Sequence, residues 1–401
     1  MRRFITGFSL TQCILICLLL GVGLGIFAPG TASRLAILSH IFLRLVQMLI
    51  VPLVFATLVV GIGRSDPQGS MRKLAVGSIL FFLGGTLLAG VIGLLAGNLL
   101  NPGLRSDIAG GVAASPMVLS SAAPASFIDT LIPESIVQVM FSNNVLGLVF
   151  FTILFALALR SAGAAGDPVY TACVSLAGVM YRLTGYVMWT APLGVLGAMA
   201  VTVSRTGIDG LRPYVMLLLT SYLAFGIFVV LYFAGTAVVA RIPLGSFLKS
   251  LSDVWLLAYS TASSSAVLPL AMERLEEWGA SRRVVSLVLP LGYSFNLTGP
   301  SLYVPLATVF WAQINGITLS WTEQCMMLGY VLVVTRGLPT IPRALFLVWG
   351  GVLAQFHLPP EGVVIMLGID PLIDMARTVV NIGGNCLAVA AMDRLNQGVK
   401  E

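Results

Sequence analysis

Long unbroken apolar runs recur along the first 240 residues, at about 11–29, 37–63, 74–99, 137–160, 169–203 and 213–240. A helix needs about 20 apolar residues to cross hydrocarbon, so each run predicts a membrane-crossing helix. The 169–203 run is longer than one crossing needs and is expected to be broken. A β-barrel would instead show alternating segments of about ten residues. Between the third and fourth runs, residues 101–135 are rich in Ser, Ala, Gly and Pro and carry Asp107, Asp129 and Glu134. That stretch reads as an exposed linker, not a domain.

The pattern changes after residue 245. The apolar segment 246–276 is interrupted at Ser260–Pro269, and 321–357 is interrupted at Thr335–Pro342. Each precedes one long segment with polar residues at its middle, 284–314 and 362–392. Interrupted segments in corresponding positions of two halves point to a transporter's solute site. Non-helical backbone at that depth is tolerated only where protein or water surrounds it. The pattern predicts two re-entrant helical hairpins, each paired with a helix bearing ligand groups. The alternative is two full spans with kinks.

The last segment carries the candidate chemistry. Asp370, Asp374, Arg377, Asn381 and Asn385 follow one another at spacings of four, three, four and four. On a helix with 3.6 residues per turn they share a face. Ile369, Leu372, Ile373, Val379 and Val380 occupy the other side. One charge at the bilayer centre costs at least about 2.5–3.5 kcal/mol, so this stripe does not face lipid. One reading is an internal Asp–Arg bridge between helices. The other is a solute pocket in which Arg377 grips a carboxylate through two bonds and Asp374 holds an ammonium. Ser263, Ser264 and Ser265, in the first interruption, offer hydroxyl and N–H donors to an anion or serve as a helix cap. In Asn296–Leu297–Thr298–Gly299–Pro300, the Gly–Pro pair is expected to unwind a helix and free carbonyls, or only to kink it.

Composition narrows the class. The chain is 58% hydrophobic and 9% charged, against roughly 25% charged for a soluble domain. A helical membrane protein follows. The net charge of +6 is read as setting topology, with no nucleic-acid partner. Arg64, Arg72, Lys73, Arg241, Lys249, Arg282 and Arg283 fall consistently on one side if they are cytoplasmic, which puts the acidic 101–135 loop outside. That arrangement predicts a multi-pass protein of the inner (plasma) membrane with cytoplasmic N- and C-termini. Arg2 and Arg3 precede an apolar run without a small-residue cleavage site, so the first span is expected to be retained. The five cysteines are scattered in apolar stretches, and His40 and His357 lie far apart in sequence. Neither pattern suggests a metal centre or a cofactor. Ser264 as a nucleophile would need a base within reach, and neither histidine lies in the polar hairpin–helix region, so an enzyme is not expected.

These residues resemble the dicarboxylate/amino acid:cation symporter family, the glutamate and aspartate transporters, over most of the chain. Gln47–Phe55 resembles that family's second helix, and Ser263–Ser265 up to Pro269 its first hairpin tip. Leu289–Gly292 leading into Asn296–Gly299 resembles its seventh-helix motif, commonly Asn-Met-Asp-Gly-Thr. Gly368–Asp370, Asp374, Arg377–Thr378 and Asn381 match the eighth-helix signature closely. The resemblance implies an all-α homotrimer with eight transmembrane helices and two re-entrant hairpins per protomer, arranged as inverted repeats and working as an elevator. It implies scaffold helices in 1–70 and 137–208, and a third transport helix with its extracellular loop in 71–136. The rest of the transport domain falls in 209–401: a sixth helix, hairpin 246–276, helix 281–314, hairpin 321–357 and helix 360–396. It assigns Arg377 to the substrate's side-chain carboxylate and Asp374 to its amino group. Thr378, Asn381, Ser263, Ser264, Ser265 and Leu338 supply further contacts.

The departures from that family gather at its cation sites. Positions resembling sodium ligands are Gly292, Asn296, Thr298, Asn381 and Asn385, where Thr298 and Asn385 stand in place of two family aspartates. Phe82 and Gly85 replace polar third-helix positions, and Thr86 is kept. Two of the three family sodium sites are therefore expected to be absent. The second hairpin tip reads Thr335–Arg336–Gly337–Leu338–Pro339–Thr340–Ile341–Pro342–Arg343, where the family is small and Gly-rich. Arg336 or Arg343 either stands in for a bound cation at the gate or snorkels to the interface. If a proton is carried, Asp370 or Asp374 is its carrier; otherwise the chain is a facilitator. The expected function is transport of an acidic amino acid without sodium, or of a related dicarboxylate. A non-transporting sensor on the same fold is the rival.

Overall fold

The computed structural model describes residues 10–63, 70–104, 132, 134–142, 145–335 and 345–397. All regular structure among them is helical. The first part of the chain forms α1 (Leu10–Phe27), α2 (Ala36–Gly63), α3 (Ser70–Leu100), α4 (Val145–Ser161), α5 (Asp167–Met188), α6 (Ala191–Thr206) and α7 (Arg212–Ala240). Pro29–Val60, Leu74–Leu100 and Ile208–Ala240 are each long and apolar enough to cross a bilayer. Gly163–Met188 with Ala191–Thr206 makes a fourth, bent by 45°. The bend is the break expected in the 169–203 run. Pro192 lies in the first turn of α6, where its missing N–H costs nothing, yet it cannot continue α5.

The second part forms α8 (Ser252–Thr261), α9 (Ser264–Trp278), α10 (Arg282–Phe295), α11 (Thr298–Ile314), α12 (Trp321–Val334), α13 (Leu345–Gln355) and α14 (Gly362–Gln397). The first interruption is narrower than expected. It is confined to Ala262 and Ser263, and Pro269 lies inside α9. A proline there removes one backbone bond and bends the helix without ending it. Ala262 turns the chain with a left-handed backbone, φ 46°. The 284–314 segment also breaks elsewhere than expected. Asn296 and Leu297 are non-helical, while Gly299 and Pro300 sit in the first turn of α11. The first four N–H groups of a helix have no intrahelical acceptor, so Pro300 fits there without loss. The second interruption, with Arg336, Leu338 and Arg343, lies outside the described residues.

Two packing groups share α14. In one, α2 packs against α4, α5 and α6, and α1 packs against α6. Gly21 and Gly25 let that last pair close up. A Cβ at Gly21 would stand 2.7 Å from the Leu196 carbonyl, and one at Gly25 2.9 Å from that of Ala200. Small residues are what allow such backbone approach in a membrane helix pair. In the other group, α3, α7, α10 and α11 pack on one another and on α14, with α8 and α9 against its flank. α11 is buried on almost every side, as a helix apolar all round must be. α14 also touches α1, α2 and α6, so it lies between the groups.

Candidate functional site

The polar stripe of α14 converges on one guanidinium. Arg377 donates from Nη1 to Asp370 Oδ1 at 3.1 Å, and from Nη2 and Nε to Asp374 Oδ1 at 2.6 and 3.1 Å. Side-chain exposure is 5% for Arg377, 0% for Asp370 and 19% for Asp374. Asp370 is thus the fully buried partner, and Asp374 the more exposed one. Among the described residues, Asp374 Oδ2 accepts no hydrogen bond, which leaves that oxygen for a ligand's donor. The guanidinium carbon lies 5.6 Å from the centroid of the Tyr303 ring, itself buried on α11. A cation over a desolvated ring gains about 0.5–2 kcal/mol.

The break between α10 and α11 meets the same face of α14. Asn296 Nδ2 donates to Asn385 Oδ1 at 2.8 Å and to the Asn381 carbonyl at 3.2 Å. Asn381 Oδ1 accepts from the Gly299 N–H at 2.8 Å. Gly292, Asn296, Thr298, Asn381 and Asn385 are therefore brought together. The packing leaves no slack. A Cβ at Gly299 would lie 2.5 Å from Arg377 Cγ, and one at Gly292 2.6 Å from Asn385 Oδ1. Asn296 Oδ1 and Thr298 Oγ1 are buried without a partner among the described residues. At this site two oxygens, Asn385 Oδ1 and the Asn381 carbonyl, face an N–H donor.

Other expected residues fall around this centre. Thr378 is buried beside Arg377 on α14. Ser263, with extended backbone, precedes α9, and Ser264 begins it, both half-buried; α8 and α9 pack on α14. No hydrogen bond among the described residues joins Ser264 to Arg377 or Asp374. Phe82 is fully buried and reaches the position a Gly292 Cβ would take, at 2.9 Å. Sequence reasoning missed Tyr303, whose signal was a polar-tipped ring four residues after Gly299 in an otherwise apolar run. It also missed Tyr222 on α7, whose hydroxyl donates to the Leu372 carbonyl at 2.7 Å and lies 3.3 Å from that of Tyr259 on α8.

The sequence profile of the sodium:dicarboxylate symporter family matches residues 10–395. A proton/sodium-glutamate symport protein of Bacillus caldotenax is 35% identical over 392 residues, 95% of this chain and 93% of the relative. A proton/glutamate-aspartate symporter of Bacillus subtilis is 34% identical over 97% of this chain and 95% of its own length. A C4-dicarboxylate transport protein of Azorhizobium caulinodans is 33% identical over 95% of this chain and 87% of its own. A match along nearly the whole chain, on a fold of apolar helices with interruptions around a buried charge cluster, leaves one assignment: the chain belongs to the sodium:dicarboxylate symporter family, and is an integral membrane transporter and not an enzyme.

Proposed function

We propose that this chain is a secondary transporter for an acidic amino acid, aspartate or glutamate, that runs without sodium and is either proton-coupled or uncoupled. One observation carries the substrate class: a buried guanidinium beside a half-open carboxylate with one oxygen to spare. Arg377 suits the ligand's side-chain carboxylate, and Asp374 suits its ammonium. Thr378, Asn381 and Ser263–Ser265 at the first hairpin tip are the proposed remaining contacts. A dicarboxylate is the second reading, favoured by the likeness to a C4-dicarboxylate transport protein. It would leave Asp374 facing a ligand of the same charge.

Sodium independence rests on the donor set. A hard cation is held by oxygens that carry charge or strong dipoles. Here the two family aspartates are Thr298 and Asn385, and the amide of Asn296 already uses the Asn385 and Asn381 oxygens. Two side-chain oxygens there without a partner among the described residues, Asn296 Oδ1 and Thr298 Oγ1, are neutral. They supply little field to offset the loss of an ion's water shell. No sodium-driven step is therefore part of this mechanism. If a proton is carried, Asp370 or Asp374 is the candidate carrier.

The working cycle we infer is an elevator in a homotrimer in the plasma membrane. The α1/α2/α4/α5/α6 group would be the static scaffold, and the α3/α7–α14 group the moving body with both hairpins. Arg336 or Arg343 would close the second gate with a fixed charge. Counterflow of labelled aspartate, glutamate and succinate in sodium-free liposomes, with and without an imposed pH gradient, tests the whole reading. Sodium-free exchange of aspartate above succinate is expected. Strict sodium dependence sinks the cation argument, and solute binding without flux makes the chain a sensor.

A further inference from the structure

One cavity shares no lining residue with the charge cluster. It has a volume of about 280 Å³ and lies where α2 begins, α6 and α11 end and α14 begins. This is at the lower end of the roughly 300–1,000 Å³ typical of small-molecule sites. Its walls come from both packing groups: α2 and α6 on one side, α11 and α14 on the other. The interior is apolar, with Leu43, Val201 and Ile365 among its lining. Its depth is closed by Trp311, fully buried and fixed by an N–H bond to the Pro359 carbonyl at 2.8 Å. The rim is polar, and three ionisable side chains stand on it: His40, Arg205 and Glu361, all exposed. Among the described residues no ion pair joins Arg205 to Glu361, so the Arg205 guanidinium has its donors open.

An apolar pocket with an uncommitted guanidinium at its mouth suits one ligand shape: a single anionic head on an apolar body. We propose that this cavity binds an amphiphilic organic anion, with its head on Arg205 and its body between α6 and α14. A ligand touching both groups stabilises only the relative position in which the cavity exists, and so acts on transport by differential affinity. The binding site stands on the cavity itself, and the effect on transport rests on the sliding motion proposed above. Nothing in this site overlaps Arg377 or Asp374, so inhibition is expected to lower the maximal rate without direct competition with the solute.

Octanesulfonate is a suitable probe, because its charge is permanent and it cannot carry protons across the bilayer. The protein in nanodiscs is titrated calorimetrically with octanesulfonate, and with octanol as the neutral control. One saturable site is expected for the sulfonate and none for octanol. Arg205→Gln, an exposed change, should weaken binding about tenfold. Val201→Phe, which fills the cavity, should abolish it. Absence of a saturable site, equal binding by octanol, or unchanged affinity in both variants would each overturn the proposal. In liposomes the sulfonate should slow labelled-aspartate exchange by wild type and act about tenfold more weakly on Arg205→Gln. Saturable binding with unaltered exchange would overturn the link to transport. Absence of any aspartate exchange would instead overturn the proposed function, and the calorimetry would still decide the site.

Discussion

At Arg377 three of the five guanidinium N–H donors are taken by two carboxylates, so a ligand carboxylate that needs more than the remaining two has to displace one of those partners. Asp374 is the candidate, since its side chain is 19% exposed while Asp370 is fully buried. Losing Asp370 would leave a buried charge without its counterion, at a cost of about 3–5 kcal/mol. Asp374 can turn away and meet the ligand's ammonium as it does so. Asp374→Ala should therefore weaken aspartate at least tenfold, from loss of a charge-assisted bond of about 1.5–3 kcal/mol. Succinate should be affected less. Counterflow competition measures both, and an intact aspartate affinity would point to a solute without an amino group. Gly299 belongs to the same account. A methyl group there would meet Arg377 Cγ at 2.5 Å and the Arg377 carbonyl at 2.7 Å. Gly299→Ala should cut exchange at least tenfold by moving the guanidinium, with the protein still folded by its thermal midpoint. Normal exchange in that variant would mean that the position of Arg377 is not critical.

The helical elements show which parts of the fold were legible and why others were not. The apolar runs located α1 to α7 closely, because length and hydropathy alone decide a bilayer crossing. The stripe from Asp370 to Asn385 was legible because spacing on one long helix fixes a face. The breaks were harder. Pro269 and Pro300 drew attention, yet each sits inside a helix where its missing N–H is tolerated. The turns occur instead at Ala262–Ser263 and Asn296–Leu297, which carry no Gly or Pro. What holds the second turn is tertiary: Asn296 bonded across to α14, a contact that local sequence does not encode. The start of α12 could have been found, since Ser320 and Glu323 form a reciprocal cap that matches a Ser-x-x-Glu signature. Ala262 offers a test at this scale. Its φ of 46° is tolerated poorly by a residue with a Cβ and worse by a β-branched one. Ala262→Val should lower stability by more than about 1 kcal/mol, and Ala262→Gly should leave it equal or slightly higher. Thermal midpoints in one detergent rank the three. A Val variant as stable as wild type would mean the turn can adopt another backbone.

For the whole molecule, the question is what energy source the proposed moving body obeys, and the proposed function places that decision where α10, α11 and α14 meet. A cation-coupled transporter must be unable to slide with only one of its passengers aboard, so an empty cation site has to hold the machine back. In the proposed reading that site is closed by the protein itself. The Asn296 amide spans from α10–α11 to Asn385 and the Asn381 carbonyl on α14, and all three elements move as one packed set in the proposed cycle. An internal amide bridge needs no ion to complete it, and this is the physical basis for the sodium-independent exchange proposed above. Restoring charge should reverse it. In Thr298→Asp with Asn385→Asp, two carboxylates face each other across the Asn296 side chain in a buried site. Their mutual repulsion at an effective dielectric near 20 amounts to about 4 kcal/mol at 4 Å, and the empty site becomes unfavourable until a cation or protons arrive. The double variant should lose sodium-free exchange and regain it, at least in part, as sodium is added, while potassium at equal ionic strength does not substitute. Asn385→Asp alone keeps an acceptor for Asn296 and should show a weaker dependence. Initial rates of aspartate counterflow against sodium concentration measure the effect. A double variant that folds, exchanges freely without sodium and ignores its addition would show that these positions do not govern coupling. The energy source would then have to be sought in a proton at Asp370 or Asp374.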